Sequence, residues 1–192
     1  MKINNQEIQR EGRNKSTLIN QTYIESGEYR KKFDNISDSK VLNRLLYQLS
    51  KKILYHRSGT LIEDMYWIDA DTTKIVAYET SQTHEEKIVY SKKTKSIVKK
   101  KKGLITIHSH PNSFPPSIED FNSNYGNSYK LGIVCCHDGK IYLYTSNQHI
   151  NPLYYKLIIE KFLKNGYNNR EAQLKTLEKL MENCDIKWKE VF

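Results

Sequence analysis

Between residues 41 and 54 the apolar side chains Val41, Leu42, Leu45, Leu46, Leu49, Ile53 and Leu54 recur at three- and four-residue spacing, and beyond Met65 that period is gone. Such spacing lines one face of an α-helix, so one amphipathic helix is predicted over about 38–55. Ser37 or Asp38 offers an oxygen to its first amides, and Arg57-Ser58-Gly59 supplies the stop. Short runs rich in β-branched and aromatic residues follow, at 65–70, 74–78, 87–90, 104–108, 131–136 and 140–144. Asp71-Thr72-Thr73 and His137-Asp138-Gly139 are turn sequences that join two pairs of these runs as hairpins. Cys135 and Cys136 then fall on opposite faces of one strand. Helical spacing returns over 152–163 and 170–182, and Ile186, Trp188, Val191 and Phe192 read as a docked extended tail. A helix, a series of strands and further helices make an α+β domain: a layered, sandwich-like fold with a mostly antiparallel mixed sheet and flanking helices.

A length of 192 residues suits one domain with terminal additions. The divisions expected are a polar arm or short helix over 1–36, anchored by Ile19, Tyr23, Tyr29 and Phe33, a main domain over 37–150, and a helical extension over 151–192 packed on it. With 31 Lys+Arg against 22 Asp+Glu the formal charge is +9, which permits nucleic acid, acidic protein or anionic lipid as a partner and selects none. Much of the excess lies in the lysine run over 92–102, which has neither arginine nor an aromatic to stack on bases. It is read as a solvated connection, with Lys99, Lys100, Lys101 and Lys102 as candidates to face an acidic substrate. No apolar run is long enough to span a membrane, and residues 1–13 lack the apolar core of a signal peptide. Three cysteines form neither a disulfide framework nor a CxxC pair, so a cytoplasmic chain with reduced thiols is expected.

One segment carries chemistry: His108-Ser109-His110-Pro111, then a loop with Pro115-Pro116, then Ser117-Ile118-Glu119-Asp120. His108 and His110 lie two apart at a strand end, so both imidazoles point to one face and Ser109 to the other. Ser117 has the position of a helix N-cap, and Asp120 falls in the first turn, where backbone amides favour a carboxylate. Proline stiffens the loop between. Two histidines and one aspartate leave a fourth tetrahedral position for water, the open arrangement of catalytic zinc. On the residues alone, an ordinary His-x-His strand end before a Ser-capped helix stays open as the alternative. His137, in a hairpin turn, and His149, beside a helix start, are expected at the surface.

The segment resembles the signature of the JAMM (MPN-plus, JAB domain) zinc metalloproteases, His-x-His-Pro followed by Ser-x-x-Asp and preceded by a distant glutamate. With His56-Arg57-Ser58-Gly59-Thr60, Glu63-Asp64-Met65-Tyr66 and Gly132-Ile133-Val134-Cys135-Cys136-His137-Asp138-Gly139, it looks most like the bacterial and phage branch. That branch stands alone or at the C-terminus of phage minor head (head-morphogenesis) proteins. The resemblance covers about 37–150 and implies a cytidine-deaminase-like layered domain holding one zinc per chain. It implies His108, His110 and Asp120 as ligands, Glu63 as general base and Ser117 as oxyanion donor, with Glu79 a weaker substitute for Glu63. His56 is a candidate partner behind these groups. The interval from His110 to Asp120 is one residue shorter than is usual in the family, a difference confined to the loop. The implied activity is hydrolysis of a peptide or isopeptide bond, removing a ubiquitin-like modifier or processing a phage or host protein. The alternatives are a non-enzymatic assembly module in phage head morphogenesis, with phage structural proteins as partners, and a RadC-like DNA-associated protein. The last requires a basic face continuous with the cleft.

Overall fold

A six-stranded mixed sheet carries every other element. The computed structural model describes residues 12–192, so the first eleven residues of the expected arm lie outside the described residues. The strands are β1 (Met65–Asp69), β2 (Lys74–Glu79), β3 (Leu104–His110), β4 (Leu131–Cys136), β5 (Ile141–Ser146) and β6 (Ile186–Glu190), in the spatial order β2-β1-β3-β4-β5-β6. Only β3 and β4 pair in parallel; β1–β2, β1–β3, β4–β5 and β5–β6 are antiparallel. The helices are α1 (Gln21–Ile24), α2 (Gly27–Lys31), α3 (Lys40–Arg57), α4 (Lys92–Lys100), α5 (Ile118–Asn127), α6 (Pro152–Lys164) and α7 (Asn169–Asn183), after a 3-10 turn at Lys15–Thr17. The chain is an α+β domain.

Strand alternation divides the interior into two layers. Tyr66 and Ile68 of β1, Ile105 and Ile107 of β3, and Ile133 and Cys135 of β4 face α3, where Leu46, Ile53 and Leu54 are fully buried. Each such leucine or isoleucine contributes about 2 kcal/mol by leaving water. Val134, Cys136, Tyr142 and Tyr144 face the other way, onto Phe121 of α5 and Leu177 and Leu180 of α7. Met65, Trp67 and Leu104 continue that face onto Val98 of α4. β3, between two strands and two helical layers, is buried along its whole length.

Helix α3 begins two residues later than expected, with Ser39 as its cap and the Ser39 hydroxyl accepting from the Leu42 amide. The arm is three short helical pieces rather than an appendage: Ile24, Tyr29 and Phe33 join the α3 core. Its start crosses the turn after α3, where the Gly12 amide donates to Ser58 O and the Gly59 amide to Thr17 O. A Cβ on Gly12 would lie 1.9 Å from Gly59 O, so this crossing requires glycine.

Two other expectations need correction. The run over 87–90 is not a strand: the Gln82 side chain satisfies both the amide and the carbonyl of Val89, at 2.9 and 3.0 Å, in place of a neighbouring strand. The lysine run is not a solvated connection but the helix α4, capped by Ser91, whose Thr94 and Val98, four apart, are buried on the sheet. The tail expected to dock does so as β6, paired with β5, although Phe192 is exposed. No described helix is long and apolar enough to cross a membrane.

Candidate metal centre and its cleft

A parallel pair needs a crossover, and here α5 links β3 to β4. The carboxyl end of β3 and the first turn of α5 therefore meet, and the two histidines and Asp120 sit at that junction. His108 and His110 share the face of β3 turned to α5. His108 is buried against Tyr144 of β5, with ring centroids 6.3 Å apart. Tyr144 reaches this point by lying over Gly132: a Cβ there would meet the phenol ring at 2.0 Å.

Asp120 is fixed by a capping box. Its amide donates to Ser117 Oγ at 3.1 Å, and its Oδ2 accepts from the Ser117 amide at 2.7 Å and hydroxyl at 2.9 Å. This leaves Oδ1 facing His108 Nε2 at 3.2 Å, while Oδ2 is 3.4 Å from His110 Nε2. The two Nε2 atoms are 3.1 Å apart. His110 Nδ1 donates to Phe114 O at 2.9 Å, which fixes the tautomer that leaves the Nε2 lone pair inward. The Nε2–Nε2 separation is near the roughly 3.3 Å between two donors about 2.0 Å from one tetrahedral zinc ion, and each imidazole has a different Asp120 oxygen beside it. Two imidazole nitrogens at this separation need a proton or a cation between them. The group of His108, His110 and Asp120 can hold a metal ion.

The electrostatics point the same way. Burial works against charge on His110, yet the Asp120 hydrogen bond and the Glu63 and Asp120 charges outweigh it and hold the imidazole up at about 9. Burial also opposes ionisation of Asp120, but His108 and His110 keep its carboxyl well below the usual range. The protein field at this point favours positive charge.

Glu63 precedes β1. Met65 pairs with His108, so continuing the antiparallel register by two residues sets Glu63 opposite His110, and its Oε1 is 4.0 Å from His110 Nε2. Burial pushes its carboxyl up, partly offset by the two histidines. Asp64 faces the other layer. A cleft of about 600 Å³ opens beside the group, walled by Met65, Ile88, Tyr90, Phe114 and Tyr144, with Glu63, Glu86, Glu119 and Asp120 as acids and Lys87 and His110 as basic groups. Asn112 donates to Glu86 across its mouth.

The Ser117 hydroxyl, expected to donate to an oxyanion, lines the cleft and donates to Asp120 within the capping box. The remaining sequence candidates are placed elsewhere. Lys99, Lys100, Lys101 and Lys102 do not line the cleft. They precede β3, whose opposite half bears the histidines; Lys101 pairs with Asp69 at 2.7 Å. His56 pairs with Asp64 at 2.5 Å. Glu79 accepts from the Ser91 amide, away from the cleft. His137 is buried, not at the surface, because Thr17 of the arm covers the turn and takes its Nδ1 proton at 2.5 Å; His149 is exposed. Sequence reasoning missed Arg57, fully buried with its Nε on Asp64 Oδ1 at 2.5 Å. Its adjacency to His56 and nearness to Asp64 were the available signal. No family model, curated protein or solved structure matches the chain.

Proposed function

We propose that this chain is a JAMM-type zinc-dependent peptidase or isopeptidase, in which His108, His110 and Asp120 hold the metal and Glu63 carries the proton. The observation that supports it most is that one donor atom each from His108, His110 and Asp120 lies within 4.8 Å of the others, beside a cleft that Glu63 also lines. A structural zinc site is closed by four protein ligands, whereas three ligands beside a cleft suit catalysis. When bound, zinc supplies Lewis acidity, acidifying water and polarising a carbonyl oxygen.

The chain's own groups supply the rest. Glu63, desolvated and with a raised pKa, is suited to accept a proton at its carboxylate and return it to a leaving amine. Ser117 orients Asp120, and the Phe114 carbonyl orients His110. Ile88, Tyr90 and Phe114 offer apolar contacts to an extended substrate, and the acidic walls favour one bearing cationic side chains. Those walls repel phosphates, which gives the DNA-associated reading no support.

The test is hydrolysis by zinc-loaded protein of a peptide library and of isopeptide-linked conjugates, each with and without chelator. The expected result is cleavage that chelation abolishes and zinc restores, absent in Glu63→Gln although that variant retains zinc. Failure of the zinc-loaded protein to cleave either substrate class would overturn the assignment.

A further inference from the structure

Directly behind Glu63, in the layer facing away from the cleft, lies a buried charged cluster that the proposed chemistry does not use. Asp64 Oδ1 accepts from Arg57 Nε and its Oδ2 is bonded to His56 Nδ1, both at 2.5 Å. Arg57 Nη2 donates to Thr80 O at 2.9 Å, while Nη1 is buried with no hydrogen-bond partner among the described residues. The main chain of Asp64 is held as tightly. Its amide donates to Ser109 Oγ at 3.1 Å and its carbonyl accepts from the Ser109 amide at 3.2 Å. Ser109 is the residue between the two histidines.

Burying an arginine and an aspartate is costly, and well-packed apolar residues fill a core at least as well. What this cluster adds is location. Every polar group of Asp64 is tied either to the end of α3 or to Ser109, so the residue before it has one place to stand. We infer that His56, Arg57, Asp64 and Ser109 form a positioning clamp that holds Glu63 at a fixed distance from the metal centre. The inference rests on the metal-site reading above. His56 and Arg57 act through Asp64, and Ser109 ties the same residue to the strand that bears His108 and His110.

Glu63 is close enough to His110 that its charge adds to the attraction for a cation, provided its position is fixed. This gives a readout independent of turnover. Zinc dissociation constants by chelator competition are compared for wild type, Glu63→Gln, His56→Ala and the double variant. Asp64→Ala leaves Arg57 without a counter-charge and is prone to unfolding, so the clamp is opened at His56, with Ser109→Ala as a second opening. Circular dichroism verifies that each variant is folded. The expected result is that Glu63→Gln weakens zinc about fivefold in the wild-type background and less than about twofold when His56 or Ser109 is truncated, a non-additivity of interacting sites. His56→Asn, which keeps an N–H donor near the Nδ1 position, restores the larger effect. Equal effects of Glu63→Gln in all backgrounds would overturn the clamp and leave the metal site standing. A wild-type protein that does not bind zinc would overturn both.

Discussion

Glu63 Oε1 and His110 Nε2 face each other at 4.0 Å, across the continuation of the β1–β3 ladder. A carboxylate at that position is near the ligands without being one of the three that meet. On the proposed reading, proton carriage and metal binding fall to different residues, and they should be separable by mutation.

Ser117 is the first case. Its hydroxyl both accepts from the Asp120 amide and donates to Asp120 Oδ2. Ser117→Ala should therefore weaken zinc by roughly tenfold, the scale of losing a ligand's outer hydrogen bond. It should also cost about 1 kcal/mol of stability through the lost helix cap. Ser117→Thr should recover most of both. Chelator competition and urea unfolding check this; an unchanged zinc affinity would return Ser117 to the role of oxyanion donor.

Gly132 tests the support under His108. With the Tyr144 ring where a Cβ would stand, Gly132→Ala must displace the ring or the strand. A loss of about 1–3 kcal/mol is expected, as for other overpacked cores, together with weaker zinc binding because His108 rests on that ring. Thermal unfolding with and without zinc measures both.

His137, whose amide donates to His110 O at 3.3 Å, predicts a pH dependence beside the metal centre. Burial disfavours its charged form and holds its pKa below the ordinary value, with the Thr17 carbonyl pulling partly the other way. The unfolded chain titrates this ring near about 6.5. At acid pH the unfolded state then binds the extra proton, so the contribution of His137 is present above about 6.5 and is lost as pH falls through the lower folded value. Unfolding free energies from pH 7.5 to 5 should fall less steeply for His137→Gln than for wild type. Parallel curves would contradict the assignment.

Lysines 99, 100 and 102 lie away from the cleft, at the far end of β3 from the histidines. Their joint replacement by glutamine should leave hydrolysis of a small peptide unchanged within about twofold. A larger loss would place a substrate path along α4.

What the sequence made legible follows from local rules. Alternation on β3 put His108 and His110 on one face, and the Ser-x-x-Asp spacing put Asp120 in a capping box. The same alternation separated Glu63 from Asp64. The misreadings share another cause, contacts between residues far apart in the chain. His137 looked exposed because it sits in a turn, yet Thr17, 120 positions away, covers it. The arm's form was left open between an extended arm and a short helix because its anchors Ile19, Tyr23, Tyr29 and Phe33 lack a helical period, and the α3 core they join lies beyond local sequence. Over 92–102 the lysine charge masked the spacing of Thr94 and Val98, and at 87–90 a β-branched and aromatic run is present but its Val89 backbone is met by the Gln82 side chain.

The most direct test of the whole account is the metal content of the purified, zinc-supplemented chain by mass spectrometry, beside His110→Ala and Glu63→Gln. The account predicts one zinc per chain in wild type and in Glu63→Gln, and none in His110→Ala. A wild-type chain without metal, or one whose zinc survives His110→Ala, would contradict it.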